Sequence, residues 1–598
     1  MSFTASNMSV DNLLGFIKNG SVALPEIQRP YVWSNIKVRD LIDSLYKNYP
    51  IGYLILWSNP NIKAKDGSLT GGKKIIIDGQ QRITALTAAI LGYEIVDSSY
   101  QKRRIKIAFN PIEDGGKFEV QSPAIVKDKR WISDISTIFT PDFSSYEYVN
   151  QYIKAQPDVN PNILSETIQR LRNIVKIPVG LIELNETIDI ETVTDIFIRI
   201  NSQGKPLSQS DFAMSKIASD SKYGGNLLRK GIDYFCHLAV APQDYNDIYK
   251  NDKEFAESEY AKKISWLKDD NEIVYDPDYD DVLRVSFMYK FGRAKISDLV
   301  SLLSGRNFET REYLEVIAEE SFQKLSEGFL AFVNRFHFDQ FMLTIKSIGF
   351  KHPKLITSKS ALDFAYQLFL RLNDTSMDKA AIKRLVQKWF ILSTLTSRYS
   401  GSAESQLDRD IRMIEEKGFD SFFEEVESSV LSETFWNVSL LQSLETTSIN
   451  NPAFKTFLAA QIFFADKSFL STSSKVEDLI LNVGDIHHIF PKSYLKKNGL
   501  DARRQYNQIA NYTYLDTQVN IQIGDKSPEI YMQKALQQCI DKEIKVGNIT
   551  EKEALLFNLN ANSIPVSILE SNVNDYKTFL NERRKLMASK LKDYYHSI

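Results

Sequence analysis

The sequence has 598 residues, 43% hydrophobic and 25% charged, which describes a globular chain too long for one ordinary core rather than a disordered one. A net charge of −3 excludes a uniformly basic nucleic-acid binder but leaves room for a local basic groove. Cys236 and Cys539 lack metal-ligand spacing, which argues against a disulfide framework or zinc ribbon and fits a reducing interior. No stretch of about 18 apolar residues and no secretory leader pattern appears, so a cytoplasmic protein without membrane contact is expected.

Taken in order, Val10, Leu13, Leu14 and Ile17 predict a short amphipathic helix over 10–18. ALPEIQRPYVW, carrying Gln28 and Arg29, has turn and strand character, and helical spacing returns over 36–46. PIGYLILW, residues 50–57, reads as a buried strand. KKIIIDGQQRITALTAAI then predicts a strand at Ile75–Ile77, a turn at Asp78-Gly79 and a helix from Thr84 to Leu91. A polar glycine turn between a buried strand and a helix presents backbone donors to a phosphate. Arg82 adds a bidentate donor, Asp78 can hold magnesium or polarise a water, and Gln80 and Gln81 can bond a base, sugar or phosphate.

Alone, a DG turn is commonplace. Together, PEIQRPYVW and DGQQR resemble the N-terminal domain of the GmrSD-like restriction proteins, a branch of the ParB and sulfiredoxin-like superfamily. That resemblance implies an α/β domain that binds, and often hydrolyses, a nucleoside triphosphate through Gln28, Arg29, Asp78, Gly79, Gln80, Gln81 and Arg82. Sulfiredoxin chemistry is excluded, because the turn has no cysteine. Further on, 174–184 is β-like, and Phe197, Asn201, Gly204 and Leu207 match the FxxxNxxGxxL arrangement that closes the family's nucleotide pocket; an ordinary helix-turn-helix connection is the plain alternative.

Residues 216–440 read as mostly helical, with an acidic loop at 269–281 that reads as a solvated connector rather than a metal site, and with a Gly/Ser turn breaking the helices within 396–411. Arg398 and Tyr399 in that break are candidates for nucleotide or DNA contact, against plain helix capping by Ser402.

The sharpest C-terminal signal is DIHHIFPKSYLKKNGLDARRQYNQIANYTYLDTQVNIQIGDK, from Asp485 to Lys526, which holds two of only six histidines. Adjacent histidines on an extended segment face opposite ways, so one can bind a metal while the other does different work. Lys492, Lys496, Lys497, Arg503 and Arg504 form a basic cluster beside them, for which a solvated loop is the plain reading. The stretch resembles the ββα-metal nucleases of the HNH class. That resemblance implies His487 and Asn520 as ligands of a divalent metal, Mg or Mn, His488 as general base and Asn511 as the residue orienting it. Asp485 and Lys526 are weaker candidates for a ligand and a phosphate contact. The segment 529–543 predicts an amphipathic helix, and 583–592 a basic one, a candidate for DNA contact whose plain reading is a solvated face.

The expected molecule is α+β and multidomain: a ParB/sulfiredoxin-like domain over 1–215, a helical connector over 216–440 and an HNH core among helices over 441–598. The two resemblances together imply an NTP-regulated, metal-dependent endonuclease of bacterial anti-phage defence, acting on double-stranded DNA that carries modifications, with a homodimer compatible. The rivals are an NTP-dependent scaffold with an inactive core, and an NTPase-regulated RNase or toxin.

Overall fold

The computed structural model describes residues 3–19, 22–23, 33–58, 74–96, 102–185, 208–220, 222–269, 272, 274–482 and 486–598. The chain folds as two compact units, Met1–Asp270 with Leu299–Ser326, and Asn271–Asp298 with Glu327–Ile598, so the helical stretch 216–440 is shared between them. The class is α+β, mostly helical with a small mixed sheet.

In the first unit, β1 (Phe3–Ser9), β2 (Val22–Ala23), β3 (Leu54–Ser58), β4 (Lys74–Asp78) and β5 (Pro178–Leu184) form a sheet in the order β1-β5-β3-β4-β2. β3 lies parallel to β5, with Leu54 opposite Leu181, and antiparallel to β4, with Leu56 opposite Ile76. Helix α1 (Val10–Lys18) has the predicted bounds: Ser9 caps it by accepting from the Asn12 amide at 3.2 Å, and Val10, Leu13 and Leu14 are its buried stripe. Helix α2 (Asn35–Tyr46) buries Val38, Leu41, Ile42 and Leu45 in the same core as the sheet residues Leu54, Leu56, Ile76 and Leu181.

Helix α3 (Gln80–Leu86) starts four residues earlier than the apolar spacing predicts. Gly79 is left-handed, at φ +97°, and its carbonyl accepts from the Ile83 amide at 2.9 Å, so the turn launches the helix at once, through the polar Gln-Gln-Arg. The β-like stretch 174–184 divides into a tight turn, Asn173–Lys176, and β5.

The second unit is built on helices. Asp278 caps α4 (Tyr279–Phe291) in a reciprocal capping box with Asp281, and Lys359 holds both carboxylates at 2.9 and 2.8 Å. The C-terminal part of the acidic loop is thus a helix cap rather than a solvated connector. The 396–402 break also differs from expectation. Arg398 grips Asp410 through two bonds of 2.6 Å, and buried Tyr399 donates to the same carboxylate at 2.9 Å. Both side chains are committed internally, and Ser402 makes no side-chain capping bond.

The basic segment 583–592 is the largest departure. It lies within α5 (Tyr576–His596), where Arg583 is 1% exposed and Arg584 7%. Arg583 donates to the carbonyls of Ala510 at 3.0 Å, Tyr512 at 2.6 Å and Asn562 at 3.3 Å, acting as an internal clamp on loop backbone. Replacing Arg583 with Met is expected to cost about 3 kcal/mol, because buried carbonyls lose their donor. Urea unfolding, with hydrogen exchange at the amides of Ile489 and Phe490, checks this; unchanged stability contradicts the clamp.

Candidate active site

The histidine pair forms β6 (His487–His488), which pairs antiparallel with β7 (Tyr512–Thr513), placing His488 opposite Tyr512 and His487 opposite Thr513. A seven-residue helix, Thr517–Ile523, follows. The order is strand, long connection, strand, short helix. Asn520 sits in the middle of that helix, exposed.

The connection between the strands is held by Asn511. Its carboxamide oxygen accepts from the Phe490 amide at 2.8 Å, and its nitrogen donates to the carbonyls of Phe490 at 3.1 Å and Tyr506 at 3.2 Å. It is fully buried, in the tight turn Ile509–Asn511 just before β7. The expected contact between Asn511 and the base is therefore corrected: the side chain points into the loop and meets backbone. Tyr531 donates to the Ile489 carbonyl at 2.9 Å, and Phe490 packs on Tyr576 and Phe579 with ring centroids 5.0 and 4.9 Å away. Every one of these contacts stiffens the segment that carries the histidines.

The partner of His488 is a residue the sequence reading did not single out. Asn507 Oδ1 lies 2.9 Å from His488 Nε2. The His488 ring also stands edge-on to Tyr512, with centroids 5.1 Å apart and planes at 88°. Burial pushes the His488 pKa below the ordinary imidazole value; the Asn507 bond opposes that shift, and the charges of Lys492 and His487 reinforce it. A neutral imidazole beside a cationic surface is a ring equipped to accept a proton.

Lys492 and Lys496, one turn apart on the helix Lys492–Lys497, both sit over the Tyr506 ring, at 5.3 and 5.2 Å from its centroid. That ring is 6.4 Å from His488. Two ammonium groups are thus gathered at the Tyr506 ring, and the charge of Lys492 acts on the imidazole, so this part of the basic cluster is more than a loop of scattered charges. Lys497 is paired with Asp525, and Lys526 donates to the Gln522 carbonyl at 2.9 Å. His487 is half-buried in β6, and Asn520 is exposed on the following helix. Among the described residues, no group of three or more His, Cys, Asp or Glu side chains assembles a fuller ligand set.

The second candidate site is the DGQQR turn. Asp78 ends β4 and pairs with Arg82 at 2.6 Å, while Arg82 also donates to the Ile51 carbonyl at 3.0 Å. The arginine expected to meet a phosphate is thus already bridging the turn to the loop before β3. Gln80 and Gln81 are half-buried in the first turn of α3. Gln28, Arg29 and Asn201, with Phe197, Gly204, Leu207 and Asp485, lie outside the described residues.

Residues 10–218 match the family model of the GmrSD restriction endonuclease, N-terminal domain. Across almost the whole chain, the sequence is 22% identical to an uncharacterized protein of Methanocaldococcus jannaschii, over 97% of this chain and 98% of that one. The match includes the DGQQR turn, whose geometry depends on glycine. A Cβ on Gly79 would stand 2.2 Å from Leu54 Cδ2, at a φ that L side chains rarely adopt. Gly79→Ala is expected to destabilise the first unit by about 3 kcal/mol, read from urea unfolding. An unchanged midpoint would show the turn to be more permissive than its geometry.

Proposed function

We propose, for a chain whose residues 10–218 match a restriction-endonuclease N-terminal domain, that the protein is a nucleotide-regulated DNA endonuclease whose cutting site is the His487–His488 hairpin. The observation that carries the reading is the half-buried His488 imidazole, bonded to Asn507 and next to a Tyr506 ring that two ammonium groups cover, on a hairpin followed by a short helix. Phosphodiester hydrolysis needs these parts: a base that takes a proton from water, and cations that bind and orient an anionic backbone. Lys492 and Lys496 draw the phosphate chain against Tyr506, and His488 takes the proton from the attacking water. A divalent cation, Mg or Mn, held by His487 and Asn520 would neutralise charge on the phosphate and on the leaving oxygen.

In the same reading, residues 1–215 form a nucleoside-triphosphate module, 216–440 a helical connector and 441–598 the nuclease part. Asp78 and Arg82 are the groups in the DGQQR turn that a triphosphate would engage, Arg82 by its guanidinium and Asp78 through a water or magnesium. Gln28, Arg29 and Asn201 belong to this reading from their sequence match alone. The substrate is double-stranded DNA, with modified foreign DNA as the preferred form, which makes the protein part of anti-phage defence in the cytoplasm.

The test is cleavage of plasmid DNA and of modified and unmodified phage DNA, with Mg or Mn, with and without each NTP. His488→Ala is expected to lower cleavage by at least about 100-fold while leaving NTP turnover intact. Cleavage at the unsubstituted rate refutes the base. RNA cut in preference to DNA moves the protein to the RNase class, and no cleavage of either by the intact chain leaves the scaffold reading. Asp78→Ala is expected to weaken NTP turnover about 10-fold or more, checked by phosphate release, with the hairpin unaffected.

A further inference from the structure

We infer that Asn507 is the positioning residue of the site: it holds the His488 imidazole as the Nε2–H tautomer, so that Nδ1 carries the lone pair that takes the proton. The inference rests on the endonuclease reading for its role, but its structural content stands apart from it.

Asn507 Oδ1 is 2.9 Å from His488 Nε2, and a carboxamide oxygen can only accept. A neutral imidazole has one N–H, so the proton is drawn to Nε2 and the free electron pair to Nδ1. In a ring on a two-residue strand, little else fixes the tautomer. Tyr512 touches the His488 ring by an edge-to-face contact, which sets its plane but cannot choose between the two nitrogens. Asn507 is itself well fixed. Its amide donates to the Arg503 carbonyl at 3.0 Å, and it follows Tyr506, whose carbonyl accepts from buried Asn511 at 3.2 Å. Asn511 thus supports the base at one remove, through the backbone next to Asn507. The segment that orients the imidazole also carries the ring under Lys492 and Lys496, so residues 506 and 507 set the base and the cations together.

The experiment uses the full-length protein labelled with ¹⁵N in its histidine rings and freed of metal by chelation, at pH 8. Only six histidines contribute, and His488 is assigned by the signal lost in His488→Gln. Solid-state ¹⁵N spectra are expected to show His488 with a protonated Nε2 and an unprotonated Nδ1. Asn507→Ala should turn this into a mixture of tautomers and lower kcat for cleavage about 10- to 100-fold, with KM for DNA within about two-fold. Asn507→Asp, which keeps the acceptor, should retain the tautomer and restore most of kcat; it also guards against a folding defect in the alanine variant.

A wild-type ring protonated on Nδ1, or a tautomer unchanged in both variants, overturns the inference. So does a raised KM with kcat intact, which would make Asn507 a substrate contact. If no nucleic acid is cut, the endonuclease reading fails, while the spectra still decide whether Asn507 sets the ring.

Discussion

The C-terminal site depends on how the buried ends of one loop satisfy their own backbone. Residues 489–511 join two strands of only two residues each, far too short to stabilise a hairpin by pairing alone. Asn511 makes three bonds to the loop's main chain from a fully buried position, and Arg583 reaches in from α5 to three further carbonyls. Buried peptide groups without partners are costly, so these two side chains replace the ladder that a longer sheet would supply. The histidines are held still because the loop is.

That arrangement explains the division of labour among the asparagines. Asn511 is dry and wholly used in structure. Asn507 is half-buried and meets the ring, and Asn520 is exposed on the following helix. One residue type serves three purposes because a carboxamide both donates and accepts, and burial decides which partners it finds. In the first unit, Gly79 has a comparable part: a left-handed residue packed against Leu54 turns the chain sharply enough to bring Asp78 and Arg82 together.

Much of the architecture was legible in the sequence wherever local spacing controls the outcome. Helices α1 and α2 follow from apolar residues at helical intervals behind a serine cap, and β4 from an Ile run ending at Asp-Gly. The extended conformation of the histidine pair was readable from the sequence, but its pairing with Tyr512–Thr513 appears only in the fold. The start of α3 was not readable either, since Gln80, Gln81 and Arg82 carry no apolar period. Asn507 was hidden because it is one polar residue among several in RRQYNQIAN, and only the folded loop brings it to His488, 19 positions away. Arg583 was misread because a charge on a helix is usually solvated, and its acceptors lie far back in the chain. Arg398 was read as a contact to nucleotide or DNA because nothing in the local spacing shows that Asp410 takes its guanidinium.

The Arg583 clamp also sets an order of assembly. The carbonyls of Ala510 and Tyr512 wait for a guanidinium 73 and 71 positions later in the chain. A polypeptide made from its N-terminal end exposes the strand pair long before that donor exists. Until the chain has been made through Arg583, those two carbonyls lack this donor, and the loop that carries the histidines lacks its clamp.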